Sequence, residues 1–198
     1  TEQIVGLDLV KEQIRIASGE KLGYSQEDLE IHGHAIELRV CAEDPSNHFL
    51  PDIGKLKTYK IPQGYGVRVD DSFEAGMEIP IHYDPMIAKL ITFGKSREEA
   101  IQRMIRAIDD YRITGIETTL PFGKFVMNHE AFVSGKFDTK FIEKYFKPEM
   151  LGHETHDEIS AIAASLLLKK KSQNHSTYEN GSVHSNGVTW KKNRKELR

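Results

Sequence analysis

Hydrophobic and polar positions follow two different periods along this chain, and the switches between them lay out its elements. Leu7, Val10, Ile14 and Ala17 recur at helical spacing, and Gly19 follows where a glycine would end the helix. From His34 the period becomes two. Ile36, Leu38 and Val40 share one face and Ala35, Glu37 and Arg39 the other, which predicts a half-buried strand. Lys55–Ile61, Val67–Val69 and Met86–Phe93 read as further strands, set apart by the turns Pro51–Gly54 and Pro62–Gly66. Ser96 and Glu99 make a capping-box pattern ahead of Ile101, Met104, Ile105 and Ile108, which predicts a helix. Shorter helices over Pro121–Met127 and Lys140–Phe146 flank a loop at Asn128–Asp138. Together these elements predict an α+β fold, a mostly antiparallel sheet with helices packed against it.

The pattern changes at Pro148. Ile159, Ile162, Ala163 and Leu166 predict one more amphipathic helix, ending in Lys169, Lys170 and Lys171 where positive charge suits the helix dipole. Beyond it, Ser172–Val188 is rich in Ser, Asn, His and Gly, too polar to bury a core. The basic run around Trp190 reads as a solvated tail. The expected organisation is a domain over residues 1–147, a helical extension over 148–171 and a disordered tail over 172–198.

Composition narrows the function classes. With 27 basic against 30 acidic residues the net charge is only −3, so no general nucleic-acid or membrane surface is indicated. No apolar stretch approaches the ~20 residues of a membrane helix, and no signal-peptide pattern opens the chain, so a cytoplasmic protein is expected. The chain starts at Thr1, directly in a helical pattern, and reads as a piece of something longer. The single cysteine, Cys41, lies in an apolar run and reads as a packing residue, with no partner for an internal disulfide.

Self-contained active-site patterns are missing: there is no phosphate-cradling glycine loop, no HExxH and no paired CxxC. His32 and His34 share a strand face without a third ligand nearby, so no metal site is assigned. His82, Tyr83 and Asp84 form a loop constellation rather than a ligand set.

A set of segments read together is more informative. Thr1-Glu2-Gln3-Ile4-Val5-Gly6-Leu7-Asp8-Leu9-Val10-Lys11-Glu12-Gln13-Ile14 is followed by Gly33-His34-Ala35-Ile36-Glu37-Leu38-Arg39-Val40-Cys41-Ala42-Glu43-Asp44-Pro45, and then by Phe49-Leu50-Pro51. Gly66-Val67-Arg68-Val69-Asp70 and Tyr83-Asp84-Pro85-Met86-Ile87-Ala88-Lys89-Leu90 complete the set. In this order and at these spacings the chain resembles the C-terminal part of biotin carboxylase over residues 1–147. That family includes the biotin carboxylase parts of acetyl-CoA, propionyl-CoA, pyruvate and methylcrotonyl-CoA carboxylases. Residues from Pro148 resemble the extensions of acyl-CoA carboxylase α subunits, a much weaker match.

The resemblance implies an ATP-grasp ligase. ATP, with Mg or Mn, activates bicarbonate, and the carboxyl group passes to biotin on a carrier domain. Arg39 occupies the position of the arginine that holds bicarbonate and steadies charge on the biotin ureido oxygen. A planar, always-charged fork suits both tasks. Asp84 matches an aspartate close to that arginine, where it would orient the guanidinium; as a residue before Pro85 it equally suits a turn cap. Tyr65 and Arg68 match homodimer-interface positions, with Tyr65 in place of the family's phenylalanine. Thr139 and Lys140 fall where the family approaches the adenine, with different residue types. The glycine-rich lid, ATP-contacting lysines, magnesium-binding glutamates and Glu-x-Asn-x-Arg segment of the family all precede the position of Thr1. The resemblance therefore implies a fragment that holds none of these cofactors alone and is inactive by itself. Its partners would be the upstream ATP-grasp part, a biotin carboxyl carrier domain and a carboxyltransferase subunit. A non-catalytic scaffold or oligomerisation module of the same fold is the alternative. Another ATP-grasp ligase is disfavoured by Glu37–Asp44 together with Tyr83–Met86.

Overall fold

The long strand whose two faces the sequence separates so cleanly, β1 (His34–Cys41), is one edge of a three-stranded antiparallel sheet. The computed structural model describes residues 1–80, 83–151 and 162–169. Ahead of β1 lie α1 (Glu2–Val5) and α2 (Leu9–Ala17). After it come the two-residue strands β2 (Glu43–Asp44) and β3 (Leu50–Pro51), which pair with each other, then β4 (Thr58–Lys60) and β5 (Val67–Asp71). The central strand β6 (Met86–Gly94) pairs antiparallel with both β1 and β5. Next follow α3 (Arg97–Asp110), β7 (Arg112–Thr114), which pairs with β4, then α4 (Leu120–Asn128), α5 (Glu130–Val133) and α6 (Phe141–Tyr145).

The core lies between the sheet and α3. Ile36 and Val40 of β1 and Ala88 and Leu90 of β6 are buried with Ala100, Ile101, Met104, Ala107 and Ile108 of the helix. Leu90 and Met104 are wholly inaccessible, and each such side chain contributes about 1.5–3 kcal/mol by leaving water. Thr92, also wholly buried, donates its hydroxyl to the Ala100 carbonyl at 2.9 Å and ties the start of α3 to β6. Ser96 caps α3 by accepting the Glu99 N–H at 3.2 Å. The Glu99 carboxylate reaches one residue further back than a capping box requires, to the Lys95 N–H.

Elsewhere the elements depart from the sequence expectations. The helix expected from Leu7 is α2, which begins at Leu9, where Asp8 accepts the Lys11 N–H, and leaves Leu7 outside. Gly19, with φ 87°, ends it as expected: its N–H bonds the Ile16 carbonyl, and Glu20 bonds the Arg15 carbonyl. Its apolar stripe is unburied, with Val10 61% and Ile14 63% exposed. The strand expected at Lys55–Ile61 keeps ladder geometry only over Thr58–Lys60. The loop expected at Asn128–Asp138 contains α5.

The chain divides into two units, Thr1–Gly152 and His153–Arg198. In the second, residues 162–169 are helical and expose Ile162, Leu166, Leu167 and Leu168. Ile159, Lys170, Lys171 and the tail expected over residues 172–198 lie outside the described residues, as does His82. Among the described residues no helix is long and apolar enough to cross a membrane.

Candidate functional site

Strand pleating gives Arg39 its direction. Its neighbour Val40 is fully buried against α3, so Arg39 points to the opposite, open face of the sheet, and it is exposed. The register places Lys89 of β6 directly across from Arg39, and Asp70 of β5 across from Lys89. Cross-strand partners share a face. Two cations therefore stand side by side on the open face, one on the edge strand and one on the central strand. Among the described residues Arg39 takes part in no ion pair.

The backbone beneath Arg39 is held on the strand's free edge. The Arg39 carbonyl accepts the Thr119 hydroxyl at 2.9 Å, and the same hydroxyl accepts the Cys41 N–H at 3.0 Å. Thr119 returns its own N–H to the Cys41 carbonyl at 3.1 Å. On the other edge the ladder with β6 shifts register between Val40 and Cys41.

Asp84 sits in the turn entering β6, where its carboxylate accepts the Met86 N–H at 2.9 Å and caps the turn. The Ala42 N–H bonds the Pro85 carbonyl at 2.8 Å and Cys41 pairs with Met86, which brings the Asp84 turn to the end of β1. The Cys41 thiol is pushed up to about 11 by burial first and then by the Glu43 and Asp84 carboxylates, with Arg39 opposing them. Glu43 is likewise raised, by burial and by Asp84. Arg39, Cys41, Glu43 and Asp84 thus form one cluster at the end of β1. Cys41 is half-buried, and its raised value keeps the thiol protonated at neutral pH.

The other expected residues lie apart from this cluster. Arg68 is on the open face of β5, tied to Asp70 at 2.7 Å and to Glu2 at 2.8 Å. The Arg68 guanidinium and the Leu9 N–H hold the Glu2 carboxyl below its usual range. Tyr65 is 79% exposed in the loop before β5, its ring 4.9 Å from the guanidinium of Arg103 on α3. Gly66 makes that contact possible. Its φ is 74°, and a Cβ there would meet the Arg103 guanidinium at 2.6 Å and the Phe93 carbonyl at 2.7 Å. Thr139 and Lys140 are exposed in the loop entering α6, where Asp138 accepts the Lys140 N–H at 3.0 Å. Sequence reasoning missed Thr119 and Lys89. Lys89 was visible only as a polar position between buried strand residues. Thr119, just before Leu120 and Pro121, carries no signal of this role in the sequence, and its hydroxyl makes no cap bond.

A groove of about 530 Å³ borders the open face, lined by Val69–Ser72 and Met86–Lys89. Among the described residues no group of three or more His, Cys, Asp or Glu side chains is arranged to hold a metal ion.

Comparison with known proteins agrees with this fold. Residues 37–144 match the model of the biotin carboxylase C-terminal domain. Biotin carboxylase 1 of Bacillus subtilis is 54% identical over 145 residues, covering 73% of this chain and 32% of the relative. The mitochondrial propionyl-CoA carboxylase alpha chain of Homo sapiens is 45% identical over 174 residues, covering 85% of this chain and 24% of the relative. The chain thus spans a third or less of each. Among solved structures, the biotin carboxylase domain dimer of the Hydrogenobacter thermophilus 2-oxoglutarate carboxylase, in complex with MgADP, ADP and bicarbonate, superposes with a TM-score of 0.73. It is 43% identical, with 77% of this chain and 33% of that chain covered. The family model alone spans more than half the residues, and both the antiparallel sheet and its packed helices agree with the solved relatives. The chain belongs to the biotin carboxylase C-terminal domain family.

Proposed function

We infer that this chain forms one wall of a biotin carboxylase active site. The whole enzyme would spend ATP to activate bicarbonate and carboxylate biotin on a carrier domain, the first half-reaction of an acyl-CoA or related carboxylase. The observation that carries this reading is Arg39, exposed and free of any ion pair among the described residues, on a strand whose other face is core.

Arg39 would hold the bicarbonate oxygens through two parallel N–H donors and then steady the negative charge developing on the ureido oxygen of biotin. Lys89, its neighbour on β6, adds positive potential at the same spot. Asp84 would bias the guanidinium's orientation while it caps its own turn. ATP supplies the phosphoryl activation; its metal-binding groups and those that grip the nucleotide belong to the rest of the enzyme. Thr139 and Lys140 would lie at the rim of the adenine pocket, and Tyr65 and Arg68 at a homodimer interface. The carrier domain and a carboxyltransferase subunit are the remaining partners, in a cytoplasmic enzyme. Residues 1–147 would be the domain proper, 148–171 its helical extension and 172–198 a tail. On this reading the isolated chain is inactive.

The test is Arg39→Ala in the enzyme assembled from this chain and its complement. Biotin carboxylation should fall roughly a hundredfold, the usual effect of deleting one oxyanion-stabilising donor, with ATP affinity little changed. Arg39→Lys should recover only part, since a point charge lacks the two-pronged geometry. Near-parental turnover of Arg39→Ala at saturating bicarbonate and biotin would refute the reading and favour a non-catalytic scaffold.

A further inference from the structure

We propose that Thr119 is a positioning residue for Arg39, its hydroxyl fixing the segment of backbone from which the guanidinium projects. The inference rests on the catalytic reading of Arg39 and adds to it the device that aims the side chain.

β1 is an edge strand, so the N–H and C=O groups on its free side have no ladder partner. At Arg39 and Cys41 those groups lie in a partly buried region, where an unpaired polar group is costly. One buried side chain closes them. Thr119, 6% exposed, uses its hydroxyl in both senses, donating to the Arg39 carbonyl at 2.9 Å and accepting the Cys41 N–H at 3.0 Å. Its own N–H completes the clasp on the Cys41 carbonyl.

The clasp lies where the strand is least constrained from its other side. Val40 faces Ala88, but the next residue, Cys41, faces Met86, so Ile87 of β6 has no partner across the ladder. A bulge of this kind re-aims the side chains next to it and weakens the ladder as a constraint. Arg39 is adjacent to that irregularity. Its direction is therefore set jointly by the pair with Lys89 and by Thr119.

The hydroxyl is not needed by its own helix. Thr119 is the N-cap residue of α4 but makes no side-chain cap bond, and a proline stands in the first turn. The helix is instead brought against β1 by Gly123, where a Cβ would come within 2.5 Å of Leu38. That close approach delivers Thr119 to the back of Arg39.

The experiment compares Thr119→Val, Thr119→Ser and Arg39→Ala in the assembled enzyme, with kcat and KM measured separately for bicarbonate and ATP. A loosened guanidinium should act on the ligand that Arg39 holds. Thr119→Val should lower kcat/KM for bicarbonate roughly 10- to 100-fold, the scale of an ångström-level misplacement, and leave KM for ATP within about twofold. Thr119→Ser, which keeps the hydroxyl, should restore most of the loss. If Thr119→Val does not fold, Thr119→Ala is read in the same way. Parental bicarbonate kinetics in the hydroxyl-free variant, beside a crippled Arg39→Ala, would overturn the positioning role and leave the Arg39 reading intact. An equal loss toward bicarbonate and ATP, or no rescue by serine, would also overturn it. If Arg39→Ala itself is parental, both fall together.

Discussion

Gly123 is the point at which the packing of α4 on β1 can be tested most directly. An alanine Cβ would stand 2.5 Å from Leu38 Cδ2 and 3.1 Å from Cδ1. Carbon atoms in contact prefer about 3.5–4.0 Å, so either the leucine or the helix must move by about 1 Å. Overpacking of this size costs about 1–3 kcal/mol. Against that, replacing glycine by alanine inside a helix gains about 1 kcal/mol of propensity. The expected net effect is a loss of about 1 kcal/mol in the parent chain. In a Leu38→Ala background the obstacle is gone and only the gain remains, so the same substitution should stabilise by about 0.5–1 kcal/mol. The sign reversal gives a coupling of about 1–3 kcal/mol, readable from urea-unfolding midpoints of the four proteins at constant slope. Equal effects of Gly123→Ala in the two backgrounds would refute the close approach, and with it the account of how Thr119 reaches β1.

Two further outcomes follow from the site and its surroundings. If Tyr65 and Arg68 lie in a homodimer interface, Tyr65→Ala with Arg68→Glu should weaken self-association of the assembled enzyme by at least about tenfold, since a reversed charge at a packed interface costs several kcal/mol. Unchanged sedimentation would remove both residues from the interface and leave Arg68 as the internal partner of Glu2 and Asp70. Cys41 makes an alkaline prediction. Its folded value of about 11 lies above the ordinary 9.0, chiefly through burial. The thiol's contribution to stability should be whole below pH 9.0 and drain away as pH rises through 11. Cys41→Ala should therefore lose less stability than the parent across that window, measured by urea unfolding; parallel loss in both would show that burial does not perturb the thiol.

The parts of the fold legible in the sequence are those where a period persists long enough to be read. β1, β6 and α3 run for 8, 9 and 14 residues, and apart from Ile87 at the β6 bulge their buried positions fall where alternation or helical spacing places them. β7 has 3 residues and β2 only 2, too short for any period. α5 is missed for a chemical reason. Its cap is His129, whose Nδ1 accepts the Ala131 N–H at 3.2 Å, and histidine is not among the residues that signal a helix start. In α2 the stripe is read correctly but the burial is not, because a period reports which face is apolar and says nothing of what covers it.

The same limit explains what was seen and unseen at the site. Strand alternation puts Arg39 opposite a core face, and the resemblance to biotin carboxylase is what singles it out from other surface arginines. Its surroundings are not legible, because each comes from a distant element: Lys89 through the β1–β6 register, Asp84 through the turn entering β6, and Thr119 from 80 residues further on. Register and helix seating are tertiary facts, fixed by contacts such as Gly123 against Leu38 that no local window contains. Thr119 is the sharpest case, since a threonine ahead of a proline in the first turn of a helix satisfies every local rule for a cap. Its hydroxyl is free to serve β1 only because the helix leaves it unused. A single strand thus carries core on one face and an exposed arginine on the other, and the alternation that separates the two lets the arginine change without disturbing the core. Thr119 and Gly123 lie where that separation breaks down. There a substitution reaches both the fold and the direction of Arg39, so at those two positions stability and bicarbonate kinetics should be measured together.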